Sequence, residues 1–197
     1  MASGYCDAGK ALIFLVGARA AGKTTLGRLF ARDVSCRFMD TDHVLAEKWG
    51  CSVAEFVNRE GWEAFRLEER AALREVSEKG VRTVVATGGG MVLDPGNRTF
   101  MREHGVVFYL AASAATLAAR LRQEANMAQR PSLTGGDTAG EMGAVLAARH
   151  ALYLECAHHV LDATAEISLL CAEMRRLSGW GSSRQFGECL DMGAGEG

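Results

Sequence analysis

The chain has little proline, no paired cysteine motif and no strong charge of either sign, and each shortage excludes something. With 2 prolines in 197 residues, 48% apolar and 23% charged residues, the composition is that of a folded globular chain rather than a disordered one. The formal net charge of -2 provides no broad basic field for gripping a nucleic-acid backbone, so nucleic acid is not expected as a partner. Six cysteines (Cys6, Cys36, Cys51, Cys156, Cys171, Cys189) are scattered without a C-x-x-C pair, which reads as reduced thiols in a cytoplasmic protein. No apolar run approaches the length of a membrane span, and "MASGYCDAGK" has no apolar signal-peptide core. A soluble protein with no membrane partner is expected. The length suits one core, not two.

What the chain does have is short apolar runs alternating with helical patterns. "ALIFLV" (11–16), "RFMD" ending at Asp40, "TVVAT" before Gly88, "VVFYL" (106–110) and "HHVLDAT" ending near Thr164 read as strands. Helices are expected over 23–33, 42–58, 60–79, 95–104, 114–124, 140–157 and 167–177. This alternation predicts an α/β fold, a three-layer sandwich around a five-stranded parallel sheet. One domain is expected over 1–178. The polar, turn-rich stretch around "QRPSLTGGD" is read as a mobile lid at about 123–136, and the glycine-rich 179–197 as a tail outside the core.

The most specific local signal is "GARAAGKTT", Gly17–Thr25, which fits G-x-x-x-x-G-K-[ST] between an expected strand and an expected helix. In that setting backbone amides of Gly17, Ala18, Arg19, Ala20, Ala21 and Gly22 point at phosphates, Lys23 reaches the outer phosphates and Thr24 ligates Mg²⁺, with Thr25 beside it. The cradle works through the backbone, so Ala20 in place of a glycine is a mild departure.

No carboxylate ends the third strand, where "TGGG" stands, so a metal-assisting acid must come from "MDTD", Asp40 or Asp42. Ligands of open α/β sheets sit at the carboxyl ends of strands, which brings these aspartates and Gly88, Gly89 and Gly90 to the P-loop mouth. Two readings stay open for Asp42, a ligand or simply the N-cap of the following helix. The glycine triplet admits either a small polar substrate or a tight turn. Arg149 interrupts the apolar stripe of Met142, Leu146 and Tyr153 and calls for an anionic partner. Arg66, beside Trp62 and Phe65 on a charge-rich helix, by itself reads as a surface ion pair rather than a ligand.

Together, "GKTT", "MDTD", "AFRLEE", "TGGG", "RPSLTG" and "RHALY", in this order, resemble the shikimate kinase family, most closely its second isozyme type. The resemblance spans about residues 11–177. It implies a P-loop kinase fold and ATP-dependent phosphorylation of the 3-hydroxyl of shikimate, with Mg²⁺ as cofactor; a monomer is expected. Asp42 then resembles the residue that holds the reacting diol and takes its proton, and Asp40 the Mg²⁺ support beside Thr24. Arg66 and Arg149 resemble the clamp on the substrate carboxylate, Gly88–Gly90 the lining of the ring, Arg130 the lid arginine at the transferring phosphate, and Arg120 the arginine against adenine. The sequence departs from the family pattern at Ala20, at Ile167 and in the tail. The rival readings are another small P-loop kinase, such as a gluconate or nucleoside monophosphate kinase, and a nucleotide-dependent switch suggested by "DTAG" (137–140).

Overall fold

In the computed structural model, which describes residues 11–77, 81–128 and 140–181, five parallel strands stand in the order β2-β3-β1-β4-β5. They are β1 (Leu12–Val16), β2 (Arg37–Asp40), β3 (Thr83–Ala86), β4 (Gly105–Ala111) and β5 (His159–Asp162). All five residues of β1 are buried, because it is the central strand, paired on one edge with β3 and on the other with β4. A strand covered on both faces has no use for alternation, which explains the unbroken apolar run that marked it in the sequence.

The pleat sends successive β1 side chains to two separate cores. Ile13 and Leu15 join Leu26 and Phe30 of α1 (Lys23–Asp33), Leu117 and Leu121 of α5 (Ala114–Ala128), and Leu170 and Met174 of α7 (Ile167–Ser178). Leu12, Phe14 and Val16 face Leu73 and Val76 of α3 (Val53–Ser77), Met101 of α4 (Pro95–His104), and Tyr153 and Cys156 of α6 (Met142–Cys156). The expected three-layer α/β sandwich is therefore present. A third, smaller cluster, Leu45, Phe56, Phe65 and Ala72, lies between α2 (Thr41–Trp49) and α3, with Trp49 stacked on Phe56 at 3.7 Å.

Two expectations need correction. The helix expected over 42–58 is two, because Gly50 ends α2 in the left-handed conformation, φ 65°. Ser52 then caps α3 with a reciprocal pair: its Oγ accepts from Glu55 N at 3.2 Å, and Glu55 Oε2 accepts from Ser52 N at 2.8 Å, the capping-box arrangement. The break expected between residues 58 and 60 is present as an interruption of α3 at Gly61, whose φ of 86° and ψ of 168° are not helical. The core also runs beyond the expected boundary at 178: Trp180 is buried, stacks with Phe30 and lies under the Arg82 guanidinium at 4.3 Å. Arg130, most of the expected lid, Asp137 and the tail from 182 onward lie outside the described residues. No helix among the described residues is long and apolar enough to cross a membrane.

Candidate active site

The carboxyl ends of β1, β2 and β3 meet at the point where strand order reverses around β1, the usual location of a crevice in an open α/β sheet. β1 delivers the chain into Gly17, and α1 begins at Lys23, so the loop between them ends on the positive end of a helix. Ala18 and Ala21 are buried in the core on the α1 face, where their methyl groups pack away from the loop mouth. Ala20 has a positive φ of 61°, a conformation costing a residue with a β-carbon about 1–2 kcal/mol. Lys23 Nζ donates to the carbonyls of Gly17 and Ala18, both at 2.8 Å, which folds it along the rim. Thr25 is exposed one residue farther on. Arg120 of α5 donates to Ala20 O at 3.3 Å and to Ala163 O at 2.8 Å, tying the loop tip to the exit of β5. A guanidinium held in its own plane by carbonyls offers a ligand its flat face.

Asp40 links this loop to the neighbouring wall. Its Oδ2 accepts from Thr24 Oγ1 at 2.6 Å, and its Oδ1 accepts from the amides of Asp42 at 3.1 Å and His43 at 3.3 Å. Asp40 is thus the N-cap of α2, and Asp42, one of whose open readings was that role, sits in the first turn with its carboxyl released for other use. Thr24 and Asp40 supply hard oxygen donors at one spot, which fits Mg²⁺ completed by phosphate oxygens.

Opposite the P-loop, three glycines pass between charged groups. A β-carbon at Gly88 would lie 2.6 Å from Asp42 Oδ1 and 2.9 Å from Glu69 Oε1, and one at Gly90 would lie 2.5 Å from Arg66 Nη2. Neither position has a positive φ, so close approach, not turn geometry, demands glycine here. Their backbone is fastened by hydroxyls: Gly88 N donates to Thr41 Oγ1 at 2.9 Å, and Gly89 O accepts from Tyr153 Oη at 2.6 Å and from Arg149 Nη1 at 3.2 Å. Arg66 is ion-paired with Glu69, only 1% of whose side chain is exposed. Burial pushes the Glu69 carboxyl up to about 7 despite the lowering influence of Arg66. Asp42 is exposed by surface area, but that area is the open mouth of the cleft. Its carboxyl end lies against Gly88 and is largely desolvated, which raises its pKa; the Asp40 charge adds to this, while Lys23, Arg66 and Arg19 oppose it.

A model of the family described as shikimate kinase matches residues 19–176. The chain belongs to the shikimate kinase family. It is 57% identical over 152 residues to shikimate kinase 2 of Yersinia enterocolitica, covering 77% of this chain and 86% of that protein. It is 51% identical over 165 residues to the shikimate kinase of Oleidesulfovibrio alaskensis, covering 84% and 95%. Among solved structures, shikimate kinase from Acinetobacter baumannii in complex with shikimate superposes with a TM-score of 0.76 at 31% identity, covering 84% of this chain and 91% of that one.

Within this shikimate kinase fold the cleft gathers Lys23, Thr24, Asp40, Asp42, Arg66, Gly88, Gly89, Gly90 and Arg149 about one crevice, while Arg120 braces the P-loop tip. Three members had not been singled out from sequence. Glu69 follows Arg66 by three residues and Tyr153 follows Arg149 by four, both helix-face spacings, and Thr41 stands between the two aspartates. The adjacent histidines serve the fold: His158 Nδ1 accepts from Val107 N at 3.0 Å, and the His159 ring lies against Phe108. A groove of about 770 Å³ beside Tyr109, Leu146, His150 and Val160 contains none of the residues of the cleft.

Proposed function

We propose that this chain transfers the γ-phosphoryl group of ATP to the 3-hydroxyl of shikimate, giving shikimate 3-phosphate and ADP in aromatic amino acid biosynthesis. The observation that carries the reading is the wall facing the P-loop. It presents one carboxylate, Asp42, and two guanidinium groups, Arg66 and Arg149, around a glycine rim with no side chains. Such a set suits a small ring bearing a carboxylate and hydroxyls. A nucleoside monophosphate acceptor would call for more cations, and the kinase relatives at more than half identity weigh against a switch protein.

Arg66 and Arg149 hold the shikimate carboxylate, which turns the ring's diol toward Asp42. Asp42 accepts a hydrogen bond from the reacting hydroxyl and receives its proton as the oxygen bonds to the γ-phosphorus and the bond to the bridging β,γ-oxygen breaks. Its raised pKa makes it a better proton acceptor than an ordinary surface aspartate. Lys23 moves from the carbonyls of its own loop to the phosphates, and Arg130 adds a second cation from the lid. Thr24, with Asp40 in support, would hold Mg²⁺, which would supply neutralisation of the phosphate charge. Arg120 presents its face to adenine. Exclusion of water from the cleft lets the phosphoryl group reach the shikimate hydroxyl instead of hydrolysing. The protein acts in the cytoplasm as a monomer. ADP release measured with shikimate, gluconate and nucleoside monophosphates tests the reading: turnover with shikimate alone is expected, and ADP release with gluconate alone would overturn it.

A further inference from the structure

A glycine rim has a weakness that the catalytic chemistry does not address. Without side chains, Gly88–Gly90 cannot anchor itself by packing, and glycine carries the largest backbone entropy of any residue. Something else must hold it. Gly89 lies mid-rim, and its carbonyl is shared by two donors of α6, the Tyr153 hydroxyl at 2.6 Å and the Arg149 guanidinium at 3.2 Å. The tyrosine contact is the shorter, and Tyr153 is 1% exposed, stacked on Tyr109 at 4.9 Å between ring centroids. Arg149, by contrast, is only half-buried and takes its direction from the same oxygen.

We infer that Tyr153 is a positioning residue for the acceptor: its hydroxyl fixes the Gly89 carbonyl, and through that carbonyl it aims the Arg149 guanidinium into the cleft. Tyr153 itself is buried, and its hydroxyl reaches the rim from α6 rather than from the P-loop. The inference rests on the reading of Arg149 as a carboxylate ligand. Its consequence is selective. Loss of the hydroxyl loosens acceptor binding and leaves the nucleotide half unchanged, whereas a purely structural tyrosine would lower stability without distinguishing the two substrates.

The test is steady-state kinetics and thermal melting of the full chain as wild type, Tyr153→Phe, Arg149→Ala, the double variant, and Tyr109→Phe. Tyr109 provides the control, since its hydroxyl pairs with His150 at 3.0 Å and does not reach the rim. For Tyr153→Phe the expected result is a rise of about five- to tenfold in the shikimate KM, the size of one lost hydrogen bond, with the ATP KM within about twofold. In the Arg149→Ala background the same substitution should add little, because the group it aims is gone. Tyr109→Phe should leave both KM values in place. An unchanged shikimate KM in Tyr153→Phe, or equal rises for both substrates, would overturn the inference. So would full additivity with Arg149→Ala. A wild type inactive on shikimate would overturn the proposed function and this inference with it, whereas an active wild type with an insensitive Tyr153→Phe removes the inference alone.

Discussion

The two walls of the cleft are built on opposite plans. On the nucleotide side, Gly17–Thr25 is nine consecutive residues, and its working groups are mostly backbone amides delivered by one strand and one helix. On the acceptor side, the groups are side chains of α2, α3 and α6 gathered around a segment that has none, and they come from positions as far apart as Asp42 and Arg149. The first site is fixed by local geometry, and Ala18 and Ala21 bury their methyl groups in the core behind the loop. The second depends on desolvated charges that hold one another in place, so single substitutions there should have larger and more selective effects.

The largest expected effect comes from Asp42→Asn, which keeps the shape and removes the proton acceptor. kcat should fall by about 10²–10⁴-fold, while calorimetric affinity for a non-hydrolysable ATP analogue stays within about twofold. Lost nucleotide affinity would erase the division between the walls. Arg149→Ala should raise the shikimate KM about ten- to hundredfold, the range for a charged hydrogen bond, with kcat less affected; an unchanged KM would remove Arg149 from the clamp.

Glu69 sharpens the contrast through pH. Its carboxyl titrates at about 7 in the folded chain against an ordinary 4.5, so between these values the folded state holds more protons than the unfolded one. The stability it contributes is therefore present below the lower value and is lost as pH rises through about 7. Wild-type Tm should fall more between pH 5 and 8 than that of Glu69→Gln, which has no proton to lose; parallel melting profiles would contradict the buried-acid assignment. The smallest effect belongs to the nucleotide wall. Ala20→Gly relieves the positive φ, partly offset by the greater entropy of glycine in the unfolded chain, and should raise Tm by about 2–4 °C per kcal/mol regained. A lower Tm would mean that the unfolded-state term dominates.

This difference in construction also decides what the sequence revealed. The P-loop and the five strands are legible because spacing along the chain is their structure: a buried run stopped by glycine, then a helix start. Arg66 was ambiguous because its partner, Glu69, is a common surface acid until α3 packs it inside. Tyr153 looked like one more apolar-face residue because Gly89, the group that uses its hydroxyl, is distant in sequence. Which of two nearby aspartates caps α2 depended on where β2 ends, a boundary one residue wide. The break after Trp49 was available in principle, since Gly50 and the Ser52-to-Glu55 spacing are punctuation, but a continuing run of apolar positions concealed it. The role of Arg130 rests on the resemblance alone.

Trp180 has a practical meaning for anyone trimming this protein. The family match ends at residue 176, and a chain cut there would look complete by alignment. It would nevertheless lose an indole that is 3% exposed and seated between Phe30 and Arg82, leaving uncovered the helix that starts at Lys23. Removing so large a buried ring typically costs about 3–5 kcal/mol, a large part of an ordinary domain's reserve. A version that ends at residue 176 is therefore expected to melt earlier than one that ends after Trp180, while retaining every residue of the candidate site.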